Sequence, residues 1–137
     1  MTAPADPPTW ALLLAVAAGG AAGACCRFGV GLLAAAAVPR HVWLGTLAVN
    51  LTGCLLIGFA TYAAAERGGL GPTGRAVAVT GFLGGLTTFS TFGQEAVSLG
   101  RGEEGLPVAA LHVSLNVGGG LLLVWCGRRL AAAVFGA

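Results

Sequence analysis

The chain has 137 residues, of which 56% are hydrophobic and 9% charged, and its formal net charge is +2; the mean hydropathy is +0.86. A soluble domain carries about 25% charged residues, so this chain cannot clothe a water-facing surface and reads as an all-α membrane protein. The small net charge argues against a nucleic-acid partner, and the short loops left between spans exclude a separate soluble catalytic domain.

Four windows carry no Asp, Glu, Lys or Arg: Pro7–Cys26, His41–Ala65, Ala76–Gln94 and Gly105–Gly127, each 19 to 25 residues long. A helix needs roughly 20 residues to cross the hydrocarbon. Proline marks the helix starts and is disfavoured in helix interiors. Pro4, Pro7 and Pro8 precede the first span, Pro39 divides first from second, Pro72 second from third, and Pro107 opens the fourth. Four helices are therefore predicted over 9–38, 42–65, 72–99 and 106–134, forming one transmembrane domain over 1–137. The segments Glu66-Arg67-Gly68-Gly69 and Gly100-Arg101-Gly102-Glu103-Glu104 read as short polar linkers. A cleaved signal is not expected: Met1–Thr9 holds Asp6 and no Lys or Arg, the wrong charge for its leading segment.

Polar groups inside hydrocarbon are costly, and ionisable ones are functional candidates. In the first span Arg27 lies about eleven residues from the far end, roughly 16 Å at 1.5 Å per residue. That is long for a snorkelling anchor and favours a water-filled vestibule. In the second span Thr46, Asn50 and Cys54 fall at i, i+4 and i+8, one helix face. Interhelical glue and a functional track are both open readings there.

The third span contains Gly81-Phe82-Leu83-Gly84-Gly85-Leu86-Thr87-Thr88-Phe89-Ser90-Thr91-Phe92. Adjacent glycines followed by Thr-Thr are poor helix formers, and at mid-span they predict a break. Broken helices expose carbonyls and amides that are tolerated at membrane depth only inside protein or along a cavity, where they often make ion sites. Phe89 and Phe92 share a face, and Glu95 follows near the end. In the fourth span His112, Asn116 and Gly120 stand in register, with Ser114 off that face.

Gly19-x-x-x-Gly23 and Gly81-x-x-x-Gly85 have the spacing of close helix approach, within the chain or between subunits. Cys25, Cys26, Cys54 and Cys126 form no C-x-x-C pair and read as small apolar packing residues. Trp10, Trp43 and Trp125 are expected at the headgroup boundary. The side holding the termini carries Arg67, Arg75, Arg128 and Arg129; the other carries Arg40 and Arg101, with Arg27 towards it. A bias this weak is either noise or the mark of a chain that inserts both ways round.

No acid–base pair, activated nucleophile or phosphate-cradling loop appears, so no enzyme is expected. Hydroxyls, amides, one Arg and the positive edges of aromatic rings suit a small anion.

These residues carry a resemblance. Gly19-Gly20-x-x-Gly23-Ala24-x-x-Arg27, Gly45-Thr46-Leu47-Ala48-Val49-Asn50-Leu51-Thr52-Gly53, and Gly81 to Phe92 followed by Glu95 are similar to the CrcB/Fluc fluoride channels. So is Gly120-Leu121-Leu122-Leu123-Val124-Trp125-Cys126-Gly127. The likeness runs from about Trp10 to Arg129. It implies a passive fluoride-selective channel of the plasma (inner) membrane that confers fluoride resistance, built as an antiparallel dual-topology dimer with two pores. It further implies a structural sodium ion at the dimer centre, held by main-chain carbonyls of Gly84 and Thr87. The fluoride path it implies runs past Asn50, Phe89, Ser90, Thr91, Phe92 and Asn116, with Arg27 by the vestibule. The fourth span departs from the family's usual pattern, with Asn116 and Gly120 where hydroxyl residues are common and His112 where other polar groups occur, which leaves open a paired homologous subunit in place of a second copy.

Two rival readings remain. A proton-coupled exporter resembling small multidrug transporters needs a carboxylate in the first span, which offers only Arg27. A structural or lytic membrane protein has no use for polar residues in register.

Replacing Arg67 and Arg75 with neutral residues should shift the population of insertion orientations, because the native bias is a single charge. Reporter fusions at the C-terminus measure it. A wholly one-sided signal from the native chain would remove the dual-topology homodimer.

Overall fold

The computed structural model describes residues 6–67, 70–103 and 105–135. Pro4, Gly68, Gly69 and Glu104 of the predicted punctuation and linkers lie outside these, as do the side chains of Glu66 and Arg67. The described residues contain four helical spans long and apolar enough to cross a membrane. Helix α1 is Thr9–Ala37 and α2 is Trp43–Arg67. Helix α3 starts at Pro72–Arg75, loosens into π-helical winding over Ala76–Leu83 and closes with Gly84–Leu86; α4 is Phe89–Arg101. Helix α5 runs from Gly105–Ser114 through a π-helical segment, Leu115–Gly119, into Gly120–Phe135. The third span, Pro72–Arg101, thus comprises α3 and α4, and the fourth is α5.

The starts follow from local chemistry. Pro8 caps α1, and Pro72 sits in the first turn of α3, where its missing N–H is no loss. Between α4 and α5 the chain turns at Gly105, whose φ of 67° lies in the left-handed region that glycine enters without steric cost.

The glycine pairs act inside the chain. A Cβ at Gly19 would collide with the Val77 carbonyl, one at Gly23 with the Phe82 carbonyl, and one at Gly85 with the Gly20 carbonyl. Helices α1 and α3 therefore meet backbone to backbone. Helices α2 and α5 do the same: Gly58 abuts the Val124 carbonyl and Gly127 the Leu55 carbonyl. In lipid, where burying apolar surface gains little, such contact supplies the dispersion energy that holds helices together. The apolar core is correspondingly small, formed by Val49, Leu83 and Leu86 with Val30 and Phe82 against them.

Trp10 and Trp125 are exposed, whereas Trp43, the first residue of α2, is buried. Its ring stands edge-on to His112, centroids 5.2 Å apart, so it closes one end of the helix interface. Gly84 differs from the other glycines of its motif, because a Cβ there would meet nothing within 4 Å.

Gly127→Leu should therefore sharply reduce the yield of folded protein in detergent. Gly84→Leu should leave the packing of the single chain intact. Size-exclusion profiles and thermal unfolding of the two variants test the contrast.

Candidate functional site

Between α3 and α4, Thr87 (φ −85°, ψ 154°) and Thr88 (φ −149°, ψ 121°) are extended, near the middle of the 30-residue span Pro72–Arg101. An interrupted helix leaves main-chain donors and acceptors unpaired, and several of them find side-chain or main-chain partners here. The Thr88 N–H donates to Asn50 Oδ1 at 2.8 Å, and Asn50 Nδ2 donates to the Thr88 carbonyl at 3.1 Å. Asn50 thus grips the same residue's main chain at both ends. The Thr88 hydroxyl caps α4 by accepting from the Thr91 N–H at 3.3 Å, the ordinary role of Thr at an N-cap. Arg27 Nε donates to the Gly85 carbonyl at 3.0 Å.

Two carbonyls lose their usual donors through this arrangement. In an uninterrupted helix the Thr88 N–H would bond to Gly84 and the Thr91 N–H to Thr87. Both amides are turned elsewhere, to Asn50 and to the Thr88 hydroxyl. Gly84 is exposed and Thr87 half-buried. Hard oxygen donors of this kind fit an alkali cation.

From Asn50 a chain of polar side chains crosses three spans. Asn50 Nδ2 also donates to Asn116 Oδ1 at 2.9 Å. Asn116 Nδ2 lies 3.0 Å from the His112 carbonyl and 3.3 Å from His112 Nδ1. Nδ1 faces that amide, and Nε2 lies 3.5 Å from Glu95 Oε2. That separation is a near approach rather than a formed hydrogen bond. Glu95 Oε1 accepts from the Thr46 hydroxyl at 2.8 Å. His112 is 0% exposed and is enclosed by Trp43 and by Phe92, each with centroids at 5.2 Å.

Two cavities flank Thr88. One, of about 170 Å³, is lined by Arg27, Thr46, Thr88, Thr91 and Glu95. The other is an open, mostly apolar groove of about 500 Å³ that includes Asn50, Gly84, Thr87, Thr88, Phe89 and Asn116. Phe92 is 7% exposed and Phe89 82%; their centroids are 5.5 Å apart. The Ser90 hydroxyl stands 3.4 Å from that of Thr88, and Ser90 is exposed.

Asn50, Thr88, Thr91, Phe92, Asn116 and His112 therefore come together as one site. Arg27 reaches it through the smaller cavity, and Phe89 through the groove. Thr46, Asn50 and Cys54 share the inward face, and Cys54 Sγ lies 3.2 Å from where a Cβ on Gly120 would be. Ser114 is exposed, outside the polar chain. Glu95 was not singled out as a partner of Thr46 and His112. Its position i+3 from Phe92 and i+4 from Thr91 put it on their face, which is the signal that would have found it.

Four apolar spans, one broken and bridged by half-buried polar groups, define a small multi-pass membrane protein. Residues 14–128 match the model of the family described as "CrcB-like protein, Camphor Resistance (CrcB)". The chain belongs to that family. It is 48% identical over 121 residues to "Fluoride-specific ion channel FluC" of Pseudomonas putida, covering 88% of this chain and 96% of that one. The protein of the same name from Stutzerimonas stutzeri is 42% identical over 120 residues, 88% of this chain and 96% of its own. "Fluoride-specific ion channel FluC 2" of Symbiobacterium thermophilum is 43% identical over 119 residues, 85% and 94% of the two chains.

Asn50→Leu should lower stability by about 1–3 kcal/mol, the cost of leaving a buried main-chain donor unsatisfied. Asn50→Asp, which keeps the acceptor for Thr88, should lose less. Thermal unfolding in a single detergent compares them.

Proposed function

We propose that the protein is a passive fluoride-selective channel of the plasma (inner) membrane, lowering cytoplasmic fluoride and so protecting the cell. The observation that carries this reading is the line of donors through the break in the third span, between two cavities, in a chain whose relatives are named fluoride-specific ion channels. Fluoride holds its hydration water strongly, and a pore must replace that water with fixed donors. The hydroxyls of Ser90 and Thr91, the amide of Asn50 and the ring edges of Phe89 and Phe92 are the donors assigned to the path, which Asn116 lines beside Asn50. Arg27 beside the smaller cavity raises the local anion concentration at its mouth.

No energy coupling is required. An inside-negative potential favours anion exit by about 2.3 kcal/mol per charge per 100 mV. The exporter alternative has no support in α1, which holds no Asp or Glu along Thr9–Ala37, and the relatives are named channels.

The break is assigned to mid-membrane depth, and the functional unit to an antiparallel dual-topology dimer. The exposed ring of Phe89 and the open groove at Gly84 support that assembly, since each leaves the pathway walled on one side only. A paired homologous subunit would serve in place of a second copy. The Gly84 and Thr87 carbonyls of the two chains would hold a sodium ion, which would neutralise converging carbonyl dipoles at the dimer centre.

The two roles open to the phenylalanines separate when volume is nearly conserved. Packing tolerates such apolar swaps at under ~1.5 kcal/mol, while an electropositive ring edge survives only an aromatic replacement. Phe92→Ile should give folded protein with severely reduced fluoride efflux from proteoliposomes, and Phe92→Tyr should retain part of it. Chloride efflux should be negligible throughout. Normal fluoride efflux in Phe92→Ile would remove the ring from the mechanism, and equal chloride efflux by the native chain would remove fluoride selectivity.

A further inference from the structure

The Asn50 carboxamide is fully spent. Its oxygen accepts from the Thr88 N–H at 2.8 Å, and its nitrogen donates to the Thr88 carbonyl at 3.1 Å and to Asn116 Oδ1 at 2.9 Å. A carboxamide has two N–H donors and no more. In this arrangement Asn50 has nothing left to offer a passing anion. The bond to Thr88 belongs to the clasp that shapes the break. The bond to Asn116 does not, because it joins two side chains across separate helices.

We infer that Asn116 competes with the anion for the second Asn50 amide donor and so sets how readily fluoride occupies the path. The inference rests on the channel reading and adds a residue that tunes it. Asn116 is well built as a competitor. Its own nitrogen is tethered within α5, 3.0 Å from the His112 carbonyl and 3.3 Å from His112 Nδ1, which keeps Oδ1 aimed at Asn50. Both residues line the same open groove, so an anion there meets the donor and its rival together. Asn116 also lies in the π-helical segment Leu115–Gly119, where wider winding and two following glycines leave room for its side chain to turn away. Until it turns, Oδ1 presents an acceptor to the anion, and acceptor faces anion unfavourably.

The test uses the full-length protein in liposomes, with initial fluoride efflux measured over a concentration series. Asn116→Ala removes the competitor and should lower the half-saturating fluoride concentration about threefold to tenfold, the worth of one hydrogen bond. Asn116→Ser should move it in the same direction. Asn116→Asp keeps the acceptor and adds charge, and should raise it. An unchanged or higher half-saturation in both Asn116→Ala and Asn116→Ser would overturn the inference and make Asn116 a ligand or a packing residue. A second measurement does not depend on transport: the fluoride-induced shift of the Asn50 side-chain amide protons by NMR. Half the maximal shift should come at lower fluoride in Asn116→Ala than in the native chain. Matching titrations would overturn the competition, whereas absent fluoride efflux by the native protein would overturn the channel reading alone.

Discussion

The pair of hydrogen bonds between Asn50 and the main chain of Thr88 governs this molecule. Breaking a helix in lipid strands several peptide groups, each worth several kcal/mol if left unpaired. One carboxamide on the second span satisfies both the N–H and the carbonyl of Thr88, and the adjacent Thr88 hydroxyl starts the next helix. Arg27 takes the Gly85 carbonyl. The break is thereby held by three spans at once, so its geometry cannot change without moving the bundle. Gly84 and Thr87, whose carbonyls lose their helical donors, both line the open groove. A backbone interruption that would ordinarily be a defect has become a fixed array of polar groups at a chosen place.

Much of this was legible in the residues, for reasons that differ by element. Charge-free windows and proline positions gave the four spans to within a few residues, because crossing lipid constrains composition more tightly than any soluble fold does. The break was legible because Gly84-Gly85 and Thr87-Thr88 oppose helix locally. The inward face of the second span was legible from the spacing of Thr46, Asn50 and Cys54. The partners were not. Glu95 meeting Thr46 and His112, and Arg27 meeting Gly85, depend on how far one helix slides along another. That register is decided by glycine–carbonyl contacts among four helices, which a linear pattern does not encode. The contact of Trp43 with His112 was hidden for the same reason, since register decides which ring the span's first residue meets.

The fourth span joins the polar line through side chains of very different size. His112, Asn116 and Gly120 stand in register along it. Longer side chains at the first two positions reach back to Asn50 and across to Glu95. The glycine makes room for Cys54. Large polar side chains at two turns and a glycine at the third let this helix reach Asn50 and Glu95 while leaving room for Cys54.

The backbone contacts at Gly19, Gly23, Gly58 and Gly127 carry a genetic consequence. Every amino acid reachable from a glycine codon by one base change brings a Cβ, and at these positions a Cβ has a carbonyl in its way. No first step is mild. The outward faces, where Leu13, Leu33, Leu121 and Leu130 point away from the bundle, accept almost any apolar replacement. Lineages of this protein should thus diverge around a skeleton of unmoving glycines, their lipid-facing surfaces drifting freely while the helix seams stay fixed.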